Sequence, residues 1–270
     1  MSSELARREE GRPQWQGPVA LEPALATLNR RYGREVVRAG APARLLGLST
    51  GVGELDGITG CQGLPQGRIS RLVGEPSSGA FDLGLVLAAE VSRSAPVALV
   101  DFTLGVFPGD IEAYGGDLDN CWLVRPRRPV EGWSAARTLA KAGVGMCILV
   151  AEDWSRITSG AAPAALLAAL SEGVSAGLVL GGQLLPAALR ERVCLELECR
   201  RLDWDLTHGD VCGLRMEARV TRSHLSAPGA RCRLRLSFPR PYPIRAGLVG
   251  LAEEEVDEDE GLLRMAGSSR

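Results

Sequence analysis

Five short apolar runs set the tightest limit on how this chain can fold. Arg68 to Val73, Val97 to Asp101, Cys121 to Val124, Met146 to Val150 and Ala176 to Leu180 have the length of strands and are too short for buried helices. A strand that is apolar at consecutive residues has no wet face, so both sides of its sheet must be covered. The cover is written between the runs. Helical stretches at Leu83 to Val91, from Ile111 to Tyr114, Trp133 to Ala142 and Ala161 to Leu170 separate them. That rhythm predicts an α/β fold built on a doubly wound, mainly parallel sheet.

Past residue 190 the pattern changes period. Val193 to Leu197 reads as one more strand. Met216, Ala218 and Val220 then alternate with Arg215, Glu217 and Arg219, and Cys232, Leu234, Leu236 and Phe238 alternate with Arg231, Arg233, Arg235 and Ser237. With Ala227-Pro228-Gly229 between them, these predict a late antiparallel hairpin with one apolar and one arginine face. Arg215, Arg219, Arg231, Arg233 and Arg235 are candidate phosphate contacts. A solvated face, or one neutralised by the chain's own acidic tail, is the other reading. In that tail, Glu253 to Glu260, seven of eight residues are acids, a composition expected to be disordered.

Residues 1–22 are polar and broken by Pro13 and Pro18, which predicts a loose arm. In residues 23–47, Leu25, Leu28 and Tyr32 fall at helical spacing ahead of Gly33, as expected of a short helix and a linker. The core is expected over 48–246 and the tail over 247–270. A net charge of −2 points to no class of partner. No apolar run reaches the ~18 residues of a membrane span and the N-terminus lacks a secretion signal, so no membrane and a cytoplasmic location are expected. Seven cysteines without a CxxC pair read as reduced core thiols, and with only His208 and His224 no metal site is expected.

The chemical centre lies between the first core strand and the first core helix. Gly74-Glu75-Pro76-Ser77-Ser78-Gly79-Ala80-Phe81-Asp82-Leu83 spaces Gly74 and Gly79 as a phosphate-binding loop does. A working loop continues with lysine and then Ser or Thr. Here Ala80 and Phe81 hold those positions, and Asp82 adds negative charge where a phosphate rests on a helix N-terminus. Backbone N–H groups alone remain to hold a nucleotide, and no cofactor is expected.

Taken together, the order of pieces resembles the RecA recombinase core. Leu48-Ser49-Thr50-Gly51, Leu55-Asp56 and Gly63-Leu64-Pro65-Gln66-Gly67-Arg68-Ile69 look like that family's approach to its phosphate loop. Glu75-Pro76-Ser77-Ser78-Gly79 is similar to the family's Gly-Pro-Glu-Ser-Ser-Gly with proline and glutamate exchanged. Tyr114 to Asn120 resembles the segment before the third strand, Gly182-Gln183 stands where the family has its sensor glutamine, and Arg219 to Pro228 looks like its late hairpin. Ala24 to Val37 resembles the N-terminal helix that packs on a neighbouring filament subunit, which makes Leu25, Leu28 and Tyr32 candidate partner-binding residues.

For catalysis the resemblance implies loss. The phosphate lysine aligns with Ala80, the metal-binding hydroxyl with Phe81, the water-activating glutamate with Thr103 and the Walker B aspartate with Ala151, although Glu152 and Asp153 adjoin it. A pseudo-ATPase is therefore expected. The DNA-inserting loop after the glutamine shrinks to about Leu184 to Ala187 without a basic or aromatic residue, and the earlier DNA loop keeps only Arg156. Nucleic-acid binding is expected to be weak or indirect. Such a chain, compact and without the recombinase C-terminal domain, resembles the ImuA proteins, SOS-induced accessory factors. The partners implied are the RecA recombinase, an ImuB-like Y-family polymerase homologue and an error-prone replicative-type DNA polymerase, in a nucleoid-associated setting. A divergent DNA- and nucleotide-binding ATPase of the RecA family, or a circadian-clock-type relative, is the alternative.

Overall fold

The computed structural model describes residues 45–238 and the strand at 247–251. The predicted arm at 1–22, the stretch carrying Leu25, Leu28 and Tyr32, and the acidic run at 253–260 lie outside the described residues. A two-stranded ribbon, β1 (Gly47–Leu48) with β2 (Leu64–Pro65), brackets helix α1 (Gly53–Ile58). The main sheet and its helices follow as β3 (Ile69–Val73), α2 (Ala80–Ser92), β4 (Val97–Asp101), α3 (Pro108–Ala113), β5 (Cys121–Val124), α4 (Pro129–Lys141) and β6 (Met146–Val150). Then come α5 (Trp154–Ile157), α6 (Ala162–Gly173), β7 (Ala176–Leu180), α7 (Ala187–Arg190), β8 (Val193–Thr207), β9 (Asp210–Ser223), β10 (Arg231–Ser237) and β11 (Gly247–Leu251).

Across the sheet the order is β11-β10-β9-β8-β3-β7-β6-β4-β5. The strands from β8 to β5 run parallel, and β8 to β11 pair antiparallel. The α/β fold with a late antiparallel hairpin is thus as the sequence predicts. Each parallel strand divides its residues between two cores. Val97, Leu99, Met146 and Ile148 face one, and Ala98, Val100, Cys147 and Leu149 face the other. Helix α2 is apolar around most of its circumference because it covers the first core. On the opposite side, α4 and α6 contribute Trp133, Ala136, Ala140, Leu166 and Leu170.

Three boundaries differ from expectation. Helix α3 begins at Pro108 rather than near Ile111, because proline fits the first turn, where its missing N–H has no intrahelical partner anyway. Strand β8 continues from Leu197 to Thr207, held by pairing with β9 that its polar second half does not advertise. Gly247–Leu251, expected within the disordered tail, is instead the edge strand β11 on β10, with Gly247 opposite Ser237 and Leu251 opposite Arg233. Glycines at 247 and 250 hide that strand, since glycine has low strand preference and only register with β10 supplies the order.

Among the described residues no helix is long and apolar enough to cross a membrane, and no group of His, Cys, Asp and Glu is arranged to hold a metal. All seven cysteines are free thiols; Cys147, Cys194 and Cys199 are buried.

The approach to the central strand is locked by one carboxylate. Asp56 is buried and accepts from Ser49 Oγ at 2.7 Å, Thr50 N at 2.9 Å and Thr50 Oγ1 at 2.6 Å. Its neighbour Leu55 is wholly buried in the first core. The separated signatures Ser49-Thr50 and Leu55-Asp56 are therefore one unit. Asp56→Ala leaves the buried Thr50 without its partner and is expected to lower stability by about 2–4 kcal/mol, with Asp56→Asn costing less, as urea denaturation will read.

Candidate functional site

The loop from Gly74 to Gly79 leaves the buried end of β3 and turns into α2. Ser78 N donates to Glu75 O at 3.0 Å, and Leu83 N donates to Gly79 O at 2.8 Å to start the helix. Gly79 has φ of +86°, and a Cβ there would stand 3.0 Å from Met216 Sδ and 3.1 Å from Leu214 Cδ1. Glycine is needed both for the left-handed turn and for the close packing on β9. At Gly74 a Cβ would collide with Ser78 Oγ, whose side chain is buried in the turn. The backbone of a phosphate loop is in place.

Its tethers are structural. Arg71 on β3 is 6% exposed. Its Nη1 donates to Glu196 Oε2 on β8 at 2.8 Å, and Nη2 donates to the carbonyls of Gly182 and Gln183, both at 2.8 Å. The Gln183 side chain then donates from Nε2 to Gly74 O at 3.0 Å. The glutamine singled out in the sequence thus holds the loop backbone, and Arg71 holds the glutamine.

A cleft of about 360 Å³ lies over the loop, lined also by Leu72, Glu152 and Gly181 to Gln183. Its charged residues are Glu75, Asp82 and Glu152, all carboxylates. Ala80 and Phe81 stand at the helix start and pack partly against the first core. Asp82, in the first turn of α2, has its carboxyl raised above the usual value by burial, which outweighs hydrogen bonds from its backbone and from Tyr114. Tyr114 Oη approaches Asp82 Oδ1 at 3.5 Å. Lys141, the only lysine in the chain, pairs with Glu172 of α6 at 3.0 Å.

The aligned catalytic positions are occupied by structural contacts. Thr103 donates through N (2.9 Å) and Oγ1 (2.7 Å) to Asp101 Oδ1, and Val106 N donates to Oδ2 at 2.9 Å. Asp101 is fully buried. Burial pushes its carboxyl up, but the bonds from Thr103, Val106 and Gly105 together hold it below its ordinary value. Ala151 is buried in the second core beneath β7. Asp153 caps α5 through Ser155 N at 3.0 Å and pairs with Arg156 at 3.0 Å. Glu152 alone of these acids lines the cleft.

These residues do not fit a nucleoside triphosphate. Like charges about 4 Å apart repel by roughly 4 kcal/mol at an intermediate dielectric. The dipole of α2 returns only about 0.3–1 kcal/mol. The lining of this cleft thus carries three carboxylates and no cation to pair with a triphosphate.

The five predicted arginines share one sheet face, as the alternation requires, with Arg231 opposite Arg219 and Arg235 opposite Arg215. Glu217 of β9 stands among them as the alternation predicts, but sequence reasoning missed the acids that face them from β8. Arg215 lies 2.8 Å from Asp203, Arg235 lies 2.6 Å from Asp205, and the buried Glu217 sits 3.8 Å from Arg231. The signal was present in Glu198, Arg200, Asp203 and Asp205, but only the register assigns them to this face. A second cleft of about 580 Å³ runs between this face and the loop, with Glu198, Arg200, Arg201, Glu217, Arg219 and Arg231 on its walls.

A phosphate-loop-type strand, turn and helix among the parallel strands of a mixed sheet defines an α/β protein with the backbone of a phosphate-binding loop. The chain belongs to the RecA family: residues 19–160 match the family model of the RecA N-terminal domain. It is 33% identical over 128 residues to Protein RecA of Rubrobacter xylanophilus, a stretch covering 46% of this chain and 37% of that one. To Protein RecA of Caulobacter sp. strain K31 it is 31% identical over 147 residues, 53% of this chain and 41% of the relative. Protein RecA of Lactobacillus acidophilus gives 34% over 129 residues, covering 46% and 36%. The similarity thus spans well under half the length of these relatives.

Asp101 gives this region a pH signature. Its folded carboxyl lies below its unfolded value, so it adds stability above about pH 4, and that stability is lost as pH falls through the folded value. Asp101→Asn is expected to destabilise the chain at pH 7 and to flatten the decline of stability as pH falls below about 4, measured by urea denaturation.

Proposed function

We propose that this chain is a non-catalytic RecA-like accessory protein of DNA-damage-induced (SOS) translesion synthesis and mutagenesis. It works by binding the RecA recombinase and an ImuB-type Y-family polymerase homologue, in an assembly with an error-prone replicative-type DNA polymerase at the nucleoid. The observation that carries this reading is the cleft over the loop. Its backbone is that of a phosphate loop, while Glu75, Asp82 and Glu152 supply its charge and Ala80 and Phe81 occupy the chemical positions. Phosphoryl transfer depends on positioned cations and an ordered nucleophile. Thr103 and Ala151, at the base and metal positions, are committed to Asp101 and to the second core.

A fold kept without that chemistry offers its surface. In this reading Leu25, Leu28 and Tyr32 dock on the core edge of an active recombinase, and the late sheet and C-terminal region face the polymerase partners. Nucleic acid is reached through those partners. Immobilised full-length chain is expected to retain purified RecA, and Leu25→Asp with Leu28→Asp to weaken retention by about tenfold or more, as loss of a buried apolar anchor does. Retention unchanged by the double substitution overturns the docking helix.

Glu152 favours a second reading, because it adjoins Ala151 and lines the cleft. A divergent ATPase using that carboxylate would release phosphate from ATP in the presence of single-stranded DNA. Release that disappears in Glu152→Gln would replace the accessory reading; no release above a protein-free control is expected.

A further inference from the structure

Two large apolar side chains stand in water on one pinned loop. Leu104 is 67% exposed and Phe107 is 66% exposed. Their loop runs from the end of β4 to the start of α3, and Asp101 holds it through Thr103 and the backbone of Val106. Leu104 has φ of +61°, a conformation leucine rarely takes. The Phe107 ring lies over Gly109, where a Cβ would stand 2.4 Å from Phe107 Cε1. A fixed loop that keeps two apolar groups in water is how an interface anchor is presented.

One helical turn on lies a cavity of about 310 Å³, lined by Asp82, Asp110, Tyr114 and Phe238. Asp110 N donates to Phe107 O at 3.0 Å, so the cavity adjoins the apolar pair. Its volume is near the lower end of ligand pockets, about 300–1,000 Å³, and suits one long side chain. The lining lacks a partner. Tyr114 is only 8% exposed, yet among the described residues its hydroxyl reaches only Asp82 Oδ1, at 3.5 Å. An ordinary O–H···O bond spans about 2.5–3.0 Å. Burial, and then the charges of Asp82 and Asp110, raise that hydroxyl above its usual value, and burial raises the Asp82 carboxyl. Neither carboxylate has an ion-pair partner among the described residues. Arg125, a cation that reaches this loop, is committed to Val106 O at 2.7 Å. Asp82 also lines the cleft over the phosphate loop, where Glu75 and Glu152 continue the negative charge.

A planar cation matches these walls. A guanidinium stacks on an aromatic face while its fork pairs with carboxylates. An apolar residue beside that arginine covers Phe107 at the same time. We propose that Leu104, Phe107 and this cavity form a docking surface for a basic, apolar-flanked segment of a partner protein, one arginine of which enters between Asp82, Asp110, Tyr114 and Phe238. The surface stands on this lining and does not depend on the accessory-protein reading.

The test is fluorescence anisotropy of the full chain with a fluorescein-labelled, amidated Gly-Arg-Leu-Gly-Arg-Leu-Gly peptide in about 50 mM NaCl. Saturable binding is expected. Asp82→Asn with Asp110→Asn weakens it about tenfold or more, and Phe107→Ser also weakens it. Glu112→Gln with Asp119→Asn, the same change of charge on exposed residues outside the cavity, leaves it. A peptide with serine in place of leucine binds less tightly, which separates docking from attraction of charge alone. Asp110→Arg guards against loss of fold: that chain loses the arginine peptide and gains one with glutamate in place of arginine. No binding by the native chain, binding that survives the paired Asn changes, or an Asp110→Arg chain that does not exchange peptides overturns the proposal. So does displacement of the peptide by adenosine, which would assign the cavity to a nucleoside.

Discussion

Strand β3 is the constraint on which the rest depends. It lies at the middle of the nine-stranded sheet, parallel to both of its neighbours, β7 and β8, and is covered on both faces. Arg71 is buried within it, and taking a guanidinium out of water costs several kcal/mol unless its donors are satisfied. Glu196 of β8 and the carbonyls of Gly182 and Gln183 after β7 accept three hydrogen bonds from its two terminal nitrogens. One side chain thereby ties the strand to both neighbours and fixes the turn that braces the loop. The cation nearest the centre of the fold is committed to holding it together.

The consequence appears one residue past the strand. A loop anchored at Gly74 by Gln183 and wedged at Gly79 against Leu214 and Met216 keeps its shape whatever follows in α2. Ala80, Phe81 and Asp82 then decide what the shape can hold. Their apolar and negative character, with Glu75 and Glu152 on the same cleft, gives a lining that carries carboxylates and no cation. Cations gather instead in the adjoining cleft, which shares the loop from Val73 to Ser78 and is lined by Arg200, Arg201, Arg219 and Arg231. In the proposed accessory role, backbone and chemistry have separated in this molecule, and family membership speaks for the backbone alone.

How far this could be read from sequence follows the range of the interactions. The parallel strands were legible because burial on both faces writes itself into consecutive residues such as Val97 to Val100. The loop was legible because its chemistry is local, from Gly74 to Asp82. Strand β11 and the second half of β8 were not, because pairing partners rather than their own residues make them strands. The β8 acids opposing the arginine face were hidden for the same reason: Asp203 and Asp205 stand on it only once the register shifts of β8 against β9 are set. Arg71 offered a clue, a lone charge inside an apolar strand, but its partners lie more than a hundred residues away.

The most direct measurement is calorimetric titration of magnesium ATP into the full chain at moderate salt. An acid-lined cleft without a cation predicts no saturable heat up to roughly millimolar nucleotide, where binding would be worth only about 4 kcal/mol. A saturable isotherm with a Kd of about 10 μM or tighter, abolished by Gly79→Ala, would show that the loop still holds phosphate and would contradict the separation of shape from chemistry.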